Sequence, residues 1–293
     1  MISLLVCAWI VWNYRDLFYS ILRIKPGYVI ILLCLFILVQ LVNGYRVFMI
    51  VRFFGAHIKT FDWICLPYIT SYLNYLPVNA GSGATAVFLK KKYNLPYTKF
   101  VSMSGALLLL QMFCFSTSGL LLMTFIRIVK GHTNGYAVMV LLFIATAVIG
   151  ARFVPVGFVK GESRVSNWIK SALTGFEDLR KEKSLLLSLM LNSYLQLALM
   201  GLTIYFTFMS LGLLVDYLDG LLLGIFTSVS KYNFLFPGQL GLREIFIGFV
   251  TKMVQGSFND GIIVAVTDRV ISGVATIFLG NIFMWMIIRR IED

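Results

Sequence analysis

Two charged residues stand next to each other inside an otherwise apolar part of the chain. The stretch NFLFPGQLGLREIFIGF, residues 233–249, places Arg243 and Glu244 directly after a glycine-containing turn. An arginine side chain is a permanent cation, and its planar fork fits the oxygens of a phosphate group. The free N–H groups and the dipole of a helix N-terminus attract anions as well. This pattern predicts a phosphate-binding site at the start of a short helix.

A second charged pair lies in a later apolar run. In GIIVAVTDRVISGVATIFLG, Arg269 follows Asp268, and it could be either a second phosphate contact or the ion-pair partner of Glu244. Charges at membrane depth are costly and commonly functional. The alternative is a set of ion pairs that only holds the helices together. The predicted substrate-binding residues are all polar and lie within or beside apolar runs: Arg243, Glu244, Arg269, Lys231, Asn74 and Asn233.

Proline and glycine interrupt two apolar segments. The first interruption is NYLPVNAGSGATAVFLKKK, residues 74–92, and the second is the arginine motif. Unpaired backbone groups cost several kcal/mol each in hydrocarbon, so irregular backbone is tolerated there only where protein or a wet cavity covers it. We predict that segments 60–95 and 215–256 are helix hairpins that enter and leave the membrane on one side. A single span kinked at proline is the alternative for each. The predicted hairpin tips contain Pro77, Gly81, Gly83, Pro237, Gly238 and Gly241.

The composition is typical of a helical membrane protein. Of the 293 residues, 59% are hydrophobic and 13% are charged, and the mean hydropathy is +0.87. A soluble domain averages about 25% charged residues. The predicted fold is an all-α polytopic membrane protein with six spanning helices and two re-entrant helix hairpins, each span being long enough for about 30 Å of hydrocarbon. The predicted spans cover residues of about 2–20, 28–54, 100–126, 135–154, 184–210 and 260–288.

The basic residues indicate the orientation. The formal net charge is +12, and most lysines and arginines lie in loops or at span ends, which favours contact with anionic lipid headgroups over nucleic acid. With a cytoplasmic N-terminus, 16 of the 25 fall on the cytoplasmic side, 6 fall outside and 3 lie within the membrane. We therefore expect both termini in the cytoplasm. The first apolar run has no basic leader and no cleavage site, so it is expected to remain as a span.

The order of these elements repeats within one transmembrane domain, residues 1–293. Repeat unit A, about 28–126, and repeat unit B, about 184–288, each contain a span, a hairpin and a span, in opposite orientations. Inverted repeats with broken helices near the midplane are a transporter design. The connecting part, about 127–183, holds one span and a polar stretch that predicts an amphipathic surface helix.

Several polar side chains lie within the predicted spans. Arg46 is near the inner end of its span and is expected to extend towards the headgroups. Asn192, Gln196 and Gln40 predict hydrogen bonds between helices, with a polar translocation groove as the alternative. The four cysteines lack metal-site spacing, there are only two histidines, and no hydrolytic triad is visible. We therefore expect no metal, no cofactor and no catalytic residues.

Three features together resemble a known family. They are NYLPVNAGSGATAVFLKKKYNLPYTKF, the FPGQLGLREIF segment and the basic residue in the last span. Over nearly its whole length, the chain resembles the transmembrane flippase-like domain of the lysylphosphatidylglycerol synthases, whose second motif, Pro-Gly-x-x-Gly-x-Arg-Glu, runs here from Pro237 to Glu244. In the first motif, Asn79 and Ser82 stand where the family commonly has Arg and Glu. The resemblance implies a stand-alone member without the aminoacyl-transferring domain, and lipid handling rather than lipid synthesis.

These observations predict a lipid translocator of the bacterial inner membrane. It would move an anionic phospholipid or a lipid-linked glycan between leaflets and contact its phosphate at the hairpin tips. One alternative is a non-transporting scaffold or accessory subunit with partners in cell-envelope glycolipid synthesis. The other is a membrane enzyme that acts on lipid phosphates. A groove that is lined by Arg243, Glu244 and Arg269 and open to both leaflets would favour transport.

Overall fold

The computed structural model describes residues 24–75, 80–131, 164–230, 242–255 and 257–292, with isolated positions between 135 and 146. Nine helices have described bounds. In chain order they are α1 (Pro26–Phe53), α2 (Thr60–Leu73), α3 (Ala80–Tyr93), α4 (Tyr97–Lys130), α5 (Arg164–Lys181), α6 (Lys183–Ser210), α7 (Tyr217–Ser230), α8 (Leu242–Gln255) and α9 (Phe258–Glu292).

Four helices are long and apolar enough to cross a membrane. They are α1, α4, α6 and the part of α9 from Phe258 to Arg289. These helices confirm that four of the six predicted runs form helices of spanning length. The run 2–20 lies outside the described residues, and so does 135–154 apart from its isolated helical positions. The chain is a multi-pass helical membrane protein, and the arrangement of six spans with an inverted repeat stays a prediction.

The ends of the long helices are fixed by local chemistry. At the end of α1, Gly55 adopts a left-handed conformation with φ 80°, and the Ala56 N–H donates to the Val51 carbonyl at 3.2 Å. This is the Schellman arrangement, in which glycine satisfies carbonyls that the helix end would leave open. Gly212, with φ 72°, follows α6 in the same way. Each glycine therefore stops a helix that apolar sequence alone would allow to continue.

The first interrupted segment forms two short helices, α2 and α3, of 14 residues each. A helix of this length rises about 20 Å, which is less than the thickness of the hydrocarbon. Three contacts join the start of α2 to the end of α3. The Tyr93 hydroxyl donates to the Asp62 carboxylate, and Lys92 Nζ lies 2.9 Å from Asp62 Oδ2. The backbone N–H of Lys59 donates to the Tyr93 hydroxyl oxygen at 3.1 Å. We name this group, Lys59, Asp62, Lys92 and Tyr93, the hairpin clasp. The clasp brings the start of α2 and the end of α3 together.

The other ends of α2 and α3 also meet. The Gly81 N–H donates to Asn74 Oδ1 at 3.0 Å, so the asparagine satisfies one of the free donors at the start of α3. A Cβ atom at Gly81 would lie 2.1 Å from the Thr70 carbonyl oxygen. With contacts at both ends, α2 and α3 run antiparallel, as a hairpin requires. Pro77 lies outside the described residues.

We expect Gly81→Ala to destabilise the protein, whereas Gly83→Ala does not. Both positions are in α3, where alanine favours the helix over glycine by about 1 kcal/mol. At Gly81 the added carbon meets a backbone carbonyl, whereas at Gly83 it meets nothing within 4 Å. Overpacking of this kind costs about 1–3 kcal/mol. Thermal unfolding of the two purified variants in the same detergent checks this, and equal melting temperatures would contradict the close contact.

Helices α6 and α7 cross at glycines. A Cβ atom at Gly224 would lie 2.3 Å from the Gly201 Cα atom, and one at Gly220 would lie 3.0 Å from the Tyr205 Cβ atom. Gly220 and Gly224 are four residues apart and so share one face of α7. Small residues at this spacing let two membrane helices approach until their backbones touch.

The polar stretch after the fourth predicted span contains α5, an amphipathic helix, as predicted. Its buried face includes Ala172 and Gly175, and Glu177 lies on the exposed face. A Cβ atom at Gly175 would lie 2.4 Å from the Ser102 carbonyl oxygen of α4, and Ser102 Oγ donates to the Ser171 carbonyl at 2.7 Å. Helix α5 is therefore packed on α4. Its location at the cytoplasmic surface stays a prediction.

Internal contacts divide the chain into two compact units. Unit 1 contains the described parts of Met1–Leu41, Ile64–Gly81 and Gln196–Asp293, and unit 2 those of Val42–Trp63 and Ser82–Leu195. Each unit includes residues from both predicted repeats. The repeat boundaries thus do not mark compact units, and the inverted repeat itself stays a prediction.

Candidate functional site

The charged residues of α8 and α9 form two ion pairs inside unit 1. Arg243 Nη2 binds Asp268 Oδ2, and Arg269 Nη1 lies 3.0 Å from Glu244 Oε1. Two neighbours on α8 thus pair with two neighbours on α9. We name these four residues, Arg243, Glu244, Asp268 and Arg269, the charge quartet. The sequence had left the ion-pair partners of these residues undecided. The structure pairs Glu244 with Arg269 and Asp268 with Arg243.

The quartet forms because α8 and α9 pack closely in opposite directions. A Cβ atom at Gly261 of α9 would lie 2.7 Å from the Gly248 Cα atom of α8. Helix α8 begins at Leu242, so its arginine and glutamate are in the first turn. Asp268 lies about 15 Å along α9 from its first residue. The first turn of α8 therefore lies beside a point well inside α9 and not beside its end.

Three members of the quartet are buried, the Arg269 side chain is 16% exposed, and the four formal charges cancel. Arg243, Glu244 and Asp268 are 9%, 3% and 8% exposed. Removing two ion pairs from water is costly, and apolar residues of similar size are often at least as stabilising. In addition, Arg243 Nε is buried and has no hydrogen-bond partner among the described residues. This guanidinium therefore retains one N–H donor that a further anionic oxygen could use.

Tyr75 is a member of the site that sequence reasoning missed. It follows α2 at the tip of the first hairpin, and all four quartet residues lie within electrostatic range of its hydroxyl. A Cβ atom at Gly273 of α9 would lie 3.2 Å from the Tyr75 hydroxyl oxygen. A signal was present in the sequence, because each interrupted segment contains asparagine, an aromatic residue and leucine before its proline.

Helix α9 aligns the end of α2 with this site. Further along α9, a Cβ atom at Gly280 would lie 2.5 Å from the Tyr72 Cβ atom, and the rings of Phe283 and Tyr68 have centroids 4.9 Å apart. The contacts run from Tyr75 back towards Tyr68 as α9 proceeds, so α2 and α9 are antiparallel. The tip of α2 is thereby held beside the quartet.

The other predicted site residues have different positions. Asn74 precedes Tyr75, but its Oδ1 is occupied by the Gly81 N–H. Gly81 is packed against α2, and Gly83 is exposed. A contact between Asn74 and substrate stays a prediction. The remaining members lie outside the described residues: Lys231, Asn233, Pro77, Pro237, Gly238 and Gly241.

Unit 2 contains a polar cluster of its own. Arg46 Nε donates to Asn192 Oδ1 at 3.2 Å, and Asn192 Nδ2 donates to the Val42 carbonyl at 3.0 Å. The hydroxyl groups of Tyr194 and Thr117 are 3.0 Å apart. The Asn192 side chain therefore makes the predicted hydrogen bonds between helices. Arg46 was expected to extend towards the headgroups, and its Nε instead binds a neighbouring span.

The clasp residue Tyr93 lies outside the four spanning helices. Burial raises the pKa of its hydroxyl to about 12, and the hydrogen bond to Asp62 acts in the same direction. The hydroxyl therefore keeps its proton at physiological pH and remains a donor to the carboxylate.

Among the described residues, no three His, Cys, Asp or Glu side chains lie together so that they could hold a metal ion.

Comparison with known proteins places this geometry in a family. No curated protein and no solved structure matches the chain significantly. The family described as the lysylphosphatidylglycerol synthase TM region matches residues 1–280 of the 293. The match includes the hairpin clasp, the charge quartet and Tyr75, and it agrees with the resemblance that the two Pro/Gly motifs carry. The chain belongs to the family of lysylphosphatidylglycerol synthase transmembrane regions.

Proposed function

We propose that this protein is a lipid translocator and not an enzyme. It moves an anionic phospholipid, or a lipid-linked glycan with a phosphate, between the leaflets of the bacterial inner membrane. The observation that carries the proposal is the charge quartet at the start of α8, of which three members are buried. Ionisable groups at this depth are expensive and commonly mark a substrate path.

The quartet supports phosphate binding through exchange of anions. At rest, Asp268 occupies Arg243 and Glu244 occupies Arg269. A lipid phosphate takes the place of Asp268 and binds the arginine fork with two parallel hydrogen bonds, which are stronger than neutral ones. The Nε donor of Arg243 has no partner among the described residues and adds to this capacity. Each arginine therefore has an anionic partner both at rest and with phosphate bound, whereas Asp268 is without its cation while phosphate occupies Arg243.

The helix lengths support a path for the headgroup. Helices α2, α3, α7 and α8 have 14 residues each, and each rises about 20 Å. We infer that α2 with α3 and α7 with α8 are re-entrant hairpins, the first open to the cytoplasm and the second to the outside. Their tips then meet near the midplane, and both termini are cytoplasmic. Inverted broken helices of this kind form the substrate sites of many transporters.

A vesicle assay tests this function. The full chain is reconstituted into phosphatidylcholine vesicles that contain a trace of tail-labelled fluorescent phosphatidylglycerol, and dithionite is added outside. Without transport only the outer leaflet is bleached, so we expect the protein to extend bleaching to lipid from the inner leaflet. Protein-free vesicles and vesicles with a labelled lipid that lacks phosphate are the controls. If bleaching matches protein-free vesicles for every phospholipid tested, with and without a membrane potential, the translocator proposal is wrong.

A further inference from the structure

We propose that Tyr75 is a substrate-contacting residue, whose hydroxyl is the first donor that a lipid phosphate meets on its way to the charge quartet. The proposal rests on the proposed function and assigns it a residue from the other hairpin. Two features of the molecule carry it, namely the exposure of Tyr75 relative to the quartet and the glycine that faces its hydroxyl.

Tyr75 is more exposed than the residues of the charge quartet. Tyr75 is 43% exposed, whereas Arg243 is 9% and Asp268 is 8% exposed. The charges of all four quartet residues act on the Tyr75 hydroxyl, which lies beside Gly273, one turn after Arg269. A ligand that approaches the quartet therefore contacts Tyr75 before it reaches Arg243. The ion pair of Arg243 with Asp268 opens only afterwards.

Gly273 leaves room for the hydroxyl. It lies one turn after Arg269 on α9, and its added Cβ would meet only the Tyr75 side chain, with Oη at 3.2 Å and Cζ at 3.9 Å. Gly280, two turns later, differs because its Cβ would meet the Tyr72 Cβ and Cγ atoms and the Tyr68 carbonyl oxygen. Gly280 is thus needed for helix packing. Gly273 faces only the tip of one flexible side chain.

The chemistry of a phenol suits this position. A tyrosine hydroxyl donates a hydrogen bond and carries no charge at neutral pH. It can therefore hold one oxygen of a phosphate without changing the balance of the two ion pairs. Hydrogen bonds to charged groups are among the stronger ones. The ligand chemistry is an anionic phosphate oxygen, which either a lipid headgroup or free phosphate could supply.

The experiment compares four variants in the vesicle assay. Tyr75→Phe keeps the ring and removes the hydroxyl, and we expect phosphatidylglycerol movement to slow about tenfold. Gly273→Ala displaces the hydroxyl and should slow transport in the same direction. Because both changes act on one group, the double variant should be no slower than the slower single variant. Tyr72→Phe, the matched control from the last turn of α2, should keep the wild-type rate.

The outcomes separate this proposal from the function on which it rests. If the wild type moves phosphatidylglycerol and Tyr75→Phe is equally fast, the role of Tyr75 is refuted and transport stands. Equal slowing of a labelled lipid without phosphate would show a structural role and would also refute it. If the wild type itself is inactive, the proposed function has failed. Melting temperatures identify the source of the phosphate oxygen. A shift caused by short-chain phosphatidylglycerol but not by inorganic phosphate, and lost in Tyr75→Phe, supports a lipid headgroup. A shift caused by inorganic phosphate but not by the lipid overturns the lipid as the ligand of Tyr75.

Discussion

Arg243→Ala should reduce lipid movement to the rate of protein-free vesicles and weaken the fold at the same time. The substitution removes the cation to which a phosphate would bind, and it leaves the Asp268 carboxylate buried without its partner. Breaking a buried ion pair from one side costs about 3–5 kcal/mol. Dithionite bleaching measures the first effect, and unfolding in mixed detergent micelles measures the second.

A double variant separates the two effects. Arg243→Met with Asp268→Leu removes both partners and fills their space with apolar atoms, so we expect stability close to that of the wild type. The pair of Glu244 with Arg269 remains intact in this variant. Transport should nevertheless stay absent, because no guanidinium is left at the start of α8. Arg243→Lys should be only partly impaired, since lysine keeps the charge and loses the bidentate fork. Wild-type transport by the stable double variant would make Arg243 purely structural.

Gly224→Leu should unfold or misassemble the helices around α7. Its Cβ position lies 2.3 Å from the Gly201 Cα atom and 2.5 Å from the Gly201 nitrogen, and a backbone cannot move aside as a side chain can. We expect a loss of about 3 kcal/mol or more. Helix α7 packs on α8, so displacement of α7 also misplaces Arg243. Both the melting temperature and the transport rate should therefore fall.

Gly83→Leu is the matched control for this substitution. Gly83 is also a helical glycine, yet it is exposed and an added Cβ meets nothing within 4 Å. The same change of residue should therefore leave the melting temperature within a few degrees of the wild type. Similar losses in the two variants would mean that leucine is poorly tolerated for reasons other than the crossing of α6 and α7.

Sequence predicted the helices better than it predicted their contacts. The apolar runs that became α1, α4, α6 and α9 are recognisable because the hydrocarbon imposes a length and a composition on any span. The break between α2 and α3 is recognisable because proline and glycine oppose a helix. Both signals are local, so the sequence contains them in full.

The pairing within the charge quartet could be narrowed from the sequence but not decided. Glu244 and Asp268 were both available to Arg243, and the choice depends on the relative rotation of α8 and α9, which Gly248 and Gly261 set. Tyr75 was missed for a related reason. A tyrosine at a hairpin tip is ordinary, and only the packing of α2 along α9 brings its hydroxyl to the charges. Such contacts arise from tertiary packing, which local sequence patterns do not reveal.

The hairpin clasp has a consequence for how the chain enters the membrane during synthesis. Asp62 is fully buried, and its hydrogen-bond partner Tyr93 lies 31 residues later. At a synthesis rate of about 5–20 residues per second, the carboxylate waits about 2–6 s for this partner. During this interval α2 is too short to cross the bilayer, and its carboxylate lacks both Lys92 and Tyr93, its partners in the folded protein. We therefore expect α2 to enter the lipid only together with α3, when its carboxylate can pair with Lys92 and Tyr93.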